Sequence, residues 1–429
     1  MAATKFKRPW IAFALTAIVT AAAVVISLNF VTPETRIDAA PRRLYSLQDP
    51  QFRRAINSLL GPPIVAGNKV DTLRNGDEIF PAMLAAIRSA QATIDFETYV
   101  YWSGQIGRDF ADAIAERARA GIKVNVLLDW AGSQRMDKDV LETMKGAGAR
   151  VELYHPLRWY TLARMNNRTH RKLLIVDGET GFIGGAGIAD QWLYSTPSVP
   201  VWRDTVFCVE GEAVAGLISA FCENWLESSG EILSSSKQFG FRPTPEGAES
   251  FVVSSTPHGG GTQARILFQA LINSARRTIR ITTPYFLPDR SARQALIEAI
   301  ERGVTVQILT AGPFIDHKII RTLSHRSVSH LLQAGAEIYE YGPSMIHAKL
   351  MTVDGLWSVV GSTNFDHRSF ALNDEVNLAV LDQELAATIE SDFFDDLGEC
   401  RRLNLSELVE YDLLAEDESI VDHILRQES

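Results

Sequence analysis

The chain holds 429 residues with 42 Lys and Arg against 52 Asp and Glu, a formal net charge of -10, and is 46% hydrophobic. This ordinary composition excludes a disordered, collagenous or coiled-coil chain, and the length allows two or three domains with ample core. The acidic balance argues against a broad nucleic-acid surface, which needs clustered Lys and Arg, yet it leaves room for a small basic pocket.

Lys5, Lys7 and Arg8 precede a stretch without any charge from Pro9 to Pro33, whose apolar centre runs 21 residues from Trp10 to Phe30. About 20 apolar residues span a bilayer as a helix, whereas a cleavable signal has an apolar region of about 7–15. Residues 1–33 therefore read as an N-terminal membrane anchor, with a cleaved signal peptide and secretion as the alternative. The basic flank should stay in the cytoplasm, which in a bacterium puts the rest on the periplasmic or outer face of the inner membrane. Cys208, Cys222 and Cys400 are too widely spaced for a disulfide framework or a CxxC metal site and read as buried apolar residues.

Beyond the anchor the sequence is written twice. A helix-like run over Pro81–Ala90 leads into a β-rich run over Ala92–Tyr99, and a second over Phe110–Ala120 leads into Gly121–Leu128. The second half repeats the order with Ala264–Ala275, Arg277–Tyr285, Ala292–Arg302 and Gly303–Leu309. This alternation predicts an α/β fold of two pseudo-symmetric lobes with helix-covered, mostly parallel sheets. The expected divisions are a first lobe over 45–227, a Ser/Gly/Pro-rich linker over 228–250, a second lobe over 251–400 and an acidic helical tail over 401–429.

Each half then carries a motif of chemical interest. The first reads His170-Arg171-Lys172 followed by Leu173–Val176 and Asp177, with Gly184-Gly185-Ala186-Gly187 after six intervening residues. The second reads His347-Ala348-Lys349, Leu350–Val353 and Asp354, with Gly361-Ser362-Thr363-Asn364 at the same interval. One HxK is weak evidence, but two copies of HxKxxxxD with matching turns are strong. Residues two apart on a strand share a face, so each histidine and its lysine point together. The odd spacing to Asp177 and Asp354 turns both carboxylates away, toward a structural role.

An ammonium beside each imidazole repels a divalent metal and suits an anion, with phosphate the natural candidate. The turn at Ser362 and Asn364 is placed to offer an amide and neighbouring backbone N–H groups to that anion. Two histidines meet the needs of two-step phosphoryl transfer, one attacking phosphorus and the other protonating the leaving oxygen. Asp204 lies 34 residues after His170, and Glu375 lies 28 after His347. Each is placed to orient an imidazole or simply to sit in solvent; the residues alone leave both readings open.

The duplicated HxKxxxxD with G-S-x-N resembles the phospholipase D superfamily over about residues 65 to 400. Within it, Thr283–Asp289, Asp316-His317-Lys318, Ile338–Tyr341 and Gly361–Phe370 resemble bacterial cardiolipin synthases. The resemblance implies a two-lobed α/β fold with its site at the lobe interface and a phosphohistidine mechanism that uses no metal and no cofactor. It implies a catalytic set of His170, Lys172, Asp177, His347, Lys349 and Asp354, with Asp204 and Glu375 as orienting carboxylates and His170 as nucleophile. It does not carry the asparagine role to Gly187, and the single anchor departs from relatives that have two.

A tethered acidic chain, with aromatic and apolar residues at Leu157–Met165 ahead of the first motif, favours phospholipid substrates and the membrane over nucleic acid. The helix predicted over Phe314–Leu332 sets Lys318, Arg321 and His325 on one face, either as a seat for a second anionic headgroup or as a solvated basic face. The expected activity is phosphatidyl transfer between two phosphatidylglycerol molecules with release of glycerol. Hydrolysis to phosphatidic acid is the alternative, ahead of a nuclease or a non-catalytic membrane scaffold.

Overall fold

The computed structural model describes residues 8–30, 45–158, 166–195, 200–234, 236–240, 242, 247–256, 263–406 and 408. A helix forms over Arg8–Phe30, with side chains described for residues 13–24. Among the described residues no helix is long and apolar enough to cross a membrane. The aromatic segment ahead of the first motif from residue 159 and most of the acidic tail lie outside the described residues.

The first half contributes strands β1 (Val65–Arg74), β2 (Thr93–Thr98), β3 (Lys123–Asp129), β4 (Arg150–Tyr154), β5 (Arg168–Thr169), β6 (Leu173–Val176), β7 (Thr180–Gly184) and β8 (Thr205–Glu210). The second contributes β9 (Ala248–Ser255), β10 (Thr278–Thr283), β11 (Phe286–Leu287), β12 (Thr305–Ala311), β13 (Glu337–Tyr341), β14 (Leu350–Val353), β15 (Trp357–Gly361), β16 (Phe365–Asp366), β17 (Asn373–Leu381) and β18 (Cys400–Arg402). The helices expected from the repeat form over Asn75–Ser89, Gln105–Arg119, Gln263–Ser274 and Arg290–Glu301. Gly121 and Gly303, just past two of them, take the left-handed φ values of 86° and 89° that end a helix.

One sheet runs in the order β18-β13-β12-β10-β14-β15-β17-β9-β1-β8-β7-β6-β2-β3-β4. Read outward from the central β9–β1 pair, the two halves use corresponding strands in the same order, so the written repeat is a structural one. The large sheet corrects the expectation of mostly parallel strands. Along this order parallel pairing is confined to β2–β3–β4 and β10–β12–β13, and the other neighbours run antiparallel. The cause is local. Asp177 and Gly178, then Asp354 and Gly355, take positive φ of 54°, 65°, 56° and 64°. Each pair makes a tight turn, closed by Glu179 N donating to Val176 O and by Leu356 N donating to Val353 O. The strand after each motif therefore folds straight back as a hairpin.

The linker region also differs from a plain crossover. Its end is β9, the strand that joins the lobes through β1 on one side and β17 on the other. Gln238 within it is fully buried, donating to the carboxylate of Asp95 in β2. Cys400–Arg402 pair with β13 rather than starting a helical tail. The three cysteines are free and only partly buried. A shared apolar core containing Leu173, Ile175 and Phe207 with Leu350, Val376 and Leu378 packs the halves together beneath the motifs.

Candidate active site at the lobe junction

Each histidine lies in the short segment just ahead of its hairpin, β6 or β14, and is nine-tenths buried. The backbone there is tied to the other lobe. His170 N donates to Asp374 O, and His347 N donates to Arg203 O. Those acceptors directly precede Glu375 and Asp204, so the carboxylates arrive crosswise. His170 Nδ1 is 3.0 Å from Glu375 Oε1, and His347 Nδ1 is 3.0 Å from Asp204 Oδ2. Both carboxylates are fully buried, which excludes the reading of solvated surface acids.

The lysines follow the same symmetry. Lys172 Nζ donates to His170 O at 2.7 Å, and Lys349 Nζ donates to His347 O and lies 3.1 Å from His347 Nε2. Asp177 and Asp354 do not join them. Asp177 accepts the backbone N–H groups of Gln91, Ala92 and Thr93, and Asp354 accepts those of Arg276, Arg277 and Thr278. Each aspartate thus clamps the start of the neighbouring strand at the far end of its hairpin, where strand parity directs it, away from the histidines and lysines.

The turn residues divide. Ser362, expected at the phosphate, instead donates to Glu375 Oε2 and accepts from Val376 N, so it buttresses the carboxylate. The backbone N–H groups of Ser362, Asn364 and Phe365 are likewise taken, by Val376 O, Ser369 Oγ and Thr283 Oγ1. The side chain of Asn364 remains: its Oδ1 is buried and has no hydrogen-bond partner among the described residues. At the matching place in the first lobe, an added Cβ on Gly187 would lie 2.7 Å from Val100 Cβ, so that lobe has no room for a second asparagine.

A family model described as "Cardiolipin synthase, PLD-like domain" matches residues 83–197 and 268–397. The major cardiolipin synthase ClsA of Bacillus subtilis strain 168 is 33% identical over 365 residues, covering 83% of this chain and 75% of that protein. Cardiolipin synthase A of Pseudomonas fluorescens SBW25 is 32% identical over 346 residues, covering 80% of this chain and 72% of that one. The chain belongs to the PLD-like cardiolipin synthase family. The fold agrees with the crystal structure of phosphatidylserine synthase from Haemophilus influenzae Rd KW20, at a TM-score of 0.64 and 16% identity over 88% of this chain and 97% of that one.

Burial sets the electrostatics of this family site. His347 is pushed down to about 4, by burial first and then by Lys349, against the opposing hydrogen bond to Asp204. Burial followed by Lys172 and Lys349 holds His170 well below the ordinary histidine range. Burial also lowers Lys349 to about 7 and Lys172 to about 8. Burial and the neighbouring lysines therefore favour the neutral form of both imidazoles.

Three groups were not legible from the motifs. Trp192 donates its indole N–H to Asp204 at 2.8 Å, and its ring and that of Trp202 stand 5.5 Å from His347. Tyr99 packs 5.4 Å from His170 and lies under Lys172 Nζ at 5.7 Å. Arg171, between the first histidine and lysine, is wholly buried and donates to the carbonyls of Glu375 and Ala220 and to Glu223. The sequence signals were an arginine where the second motif has Ala348, and two tryptophans shortly before Asp204. The predicted headgroup face is corrected as well: Arg321 and His325 both donate to Glu340, which also accepts from Arg401.

Proposed function

We propose that the protein transfers a phosphatidyl group from one phosphatidylglycerol to another through a phosphohistidine, releasing glycerol. The crossed pairs His170–Glu375 and His347–Asp204 are the observation that carries this reading. A carboxylate on Nδ1 fixes the tautomer that leaves Nε2 free to react. His170 Nε2 would attack phosphorus, and His347 would protonate the departing glycerol oxygen. A hydroxyl of the second phosphatidylglycerol, giving its proton to His347, would then resolve the intermediate. Lys172, Lys349 and the Nδ2 amide of Asn364 would donate to the equatorial oxygens. The phosphodiester's own charge offsets the lysines, which returns His347 toward the protonated form that the first step needs.

The helix over Arg8–Phe30 serves in this reading as the single anchor. It lacks charge beyond its first residue, and Phe13, Leu15, Ile18, Val19 and Val24 are all exposed, as residues facing lipid would be. The basic flank would hold it with the two lobes on the outer face.

Incubating the purified full-length protein with phosphatidylglycerol micelles tests the activity. Cardiolipin and glycerol are expected, whereas phosphatidic acid as sole product assigns hydrolysis instead. His170→Asn should abolish turnover, and wild-type turnover in that variant would overturn the covalent route. Turnover should persist in a chelator, since an ammonium flanks each imidazole.

A further inference from the structure

We propose that Tyr285 and Asp316 form the seat for the acceptor alcohol, holding a second hydroxyl of a vicinal diol while its neighbour attacks; this rests on the transferase reading above. The β10–β14 register pairs Thr282 with Leu350 and, carried one residue on, sets Thr283 across from Lys349. Thr283 Oγ1 donates to Tyr285 O and accepts from Phe365 N, and Phe286 pairs with Phe365, the residue after Asn364. Tyr285 is thus fixed between the second motif and the Asn364 turn.

The Tyr285 hydroxyl donates to Asp316 Oδ1 at 2.6 Å. Asp316 follows the C-terminal end of β12, the end at which parallel strands present ligand-binding loops, and buried Ile315 anchors its loop. Its second oxygen meets only His317, at 3.7 Å, among the described residues. Asp316 also figures among the charges acting on both Lys349 and Tyr99, one residue from each lobe.

Among the described residues, the first lobe has no such pair at the corresponding place. Thr98 Oγ1 donates to Val100 O just as Thr283 does to Tyr285 O, so valine stands where the second lobe has tyrosine. The first lobe's buried loop carboxylate, Asp129, is occupied by the backbone N–H groups of Ala131, Gly132 and Thr169. The acceptor seat therefore belongs to one lobe, in a site otherwise built twice.

A carboxylate there accepts from neutral hydroxyls. The glycerol headgroup of phosphatidylglycerol offers two adjacent hydroxyls. One forms the new P–O bond as the P–N bond to His170 breaks and its proton passes to His347. The other donates to Asp316. Water has no second hydroxyl to donate, so the pair favours transfer over hydrolysis.

The test supplies the full-length protein with phosphatidylglycerol and an equimolar mixture of 1,2-propanediol and 1-propanol, and compares the two phosphatidyl alcohols by mass. Wild type should favour the diol roughly tenfold, the worth of one hydrogen bond to a charged acceptor. Asp316→Ala should bring the ratio close to one and raise phosphatidic acid relative to cardiolipin, and Tyr285→Phe should lower the preference part-way. An unchanged ratio in Asp316→Ala, or no preference in wild type, overturns the proposal. So does equal loss of both products in a folded variant, which would assign the pair to the phosphate instead. Should the alanine variant fail to fold, Asp316→Asn and Tyr285→Phe read the same ratio. A wild type that makes neither cardiolipin nor either phosphatidyl alcohol defeats the transferase reading itself.

Discussion

Glu375 holds His170 Nδ1 at 3.0 Å across 205 residues of chain, and Asp204 holds His347 Nδ1 at the same distance across 143. The partners are exchanged between lobes, so each half of the sequence completes the imidazole of the other. Damage to one lobe's carboxylate is then felt at the other lobe's histidine.

Glu375→Gln keeps the shape but offers a hydrogen-bond donor where an acceptor is needed, and so favours the wrong tautomer of His170. Turnover on phosphatidylglycerol should fall by about 10²-fold or more, with Asp204→Asn showing a comparable loss through His347. The folded fraction by circular dichroism should match wild type. A variant within twofold of wild-type turnover would remove the dyad from the mechanism.

Lys349 sets opposite trends in activity and stability. Burial lowers it to about 7 in the folded protein, against an ordinary value of 10.5. Between these values the unfolded chain binds the extra proton, so folding stability should rise with pH from about 7 to 9, and Lys172, lowered to about 8, adds to the trend. Over the same range kcat/KM should fall, because the ammonium that balances the phosphate is being lost. Lys349→Arg keeps its charge and should extend activity to higher pH. The measurement is thermal midpoint and kcat/KM across that range; parallel rather than opposite slopes would refute it.

Arg171 ties the first motif to β17 and β9 by donating to the carbonyls of Glu375 and Ser255, besides Ala220 O and Glu223. Arg171→Met removes all four of these hydrogen bonds at once. The expected loss is about 2–4 kcal/mol in denaturant unfolding, from the several hydrogen bonds of a wholly buried guanidinium. An unchanged unfolding midpoint would show that the arginine does not join the lobes.

Two glycines should separate function from stability. A Cβ on Gly185 would lie 2.3 Å from Asp204 Oδ1 and 2.6 Å from His347 O. Gly185→Ala should therefore displace that dyad and cut turnover at least about tenfold. Gly121 meets nothing within 4 Å but holds φ at 86°. Gly121→Ala should cost about 1 kcal/mol of stability and leave turnover unchanged. Equal turnover in the two variants would contradict the assignment.

The repeat was legible because helix and strand periods recur with their glycine stops, and parity alone turned Asp177 and Asp354 away from the histidines. The crossing of the dyads was not. Distance along the chain says which carboxylate follows a histidine, not which lobe it will face, and only the β17–β9–β1–β8 junction decides that. Ser362 read as a phosphate ligand because a serine in a small-residue turn resembles an anion cradle, yet its partner is a buried carboxylate beside it in β17. Trp192 escaped notice because an indole N–H leaves no spacing pattern. The hairpins hidden in each Asp-Gly pair made the sheet mixed where a βα alternation suggested parallel strands.

The central β1–β9 pairing has a mechanical consequence. Two lobes that share one hydrogen-bonded sheet cannot part like jaws without breaking strands. The gap between the imidazoles is thus fixed when the chain folds, and access must come from side chains and loops at its rim. A shared sheet of this kind makes the choice between acceptors a matter of what fits the rim.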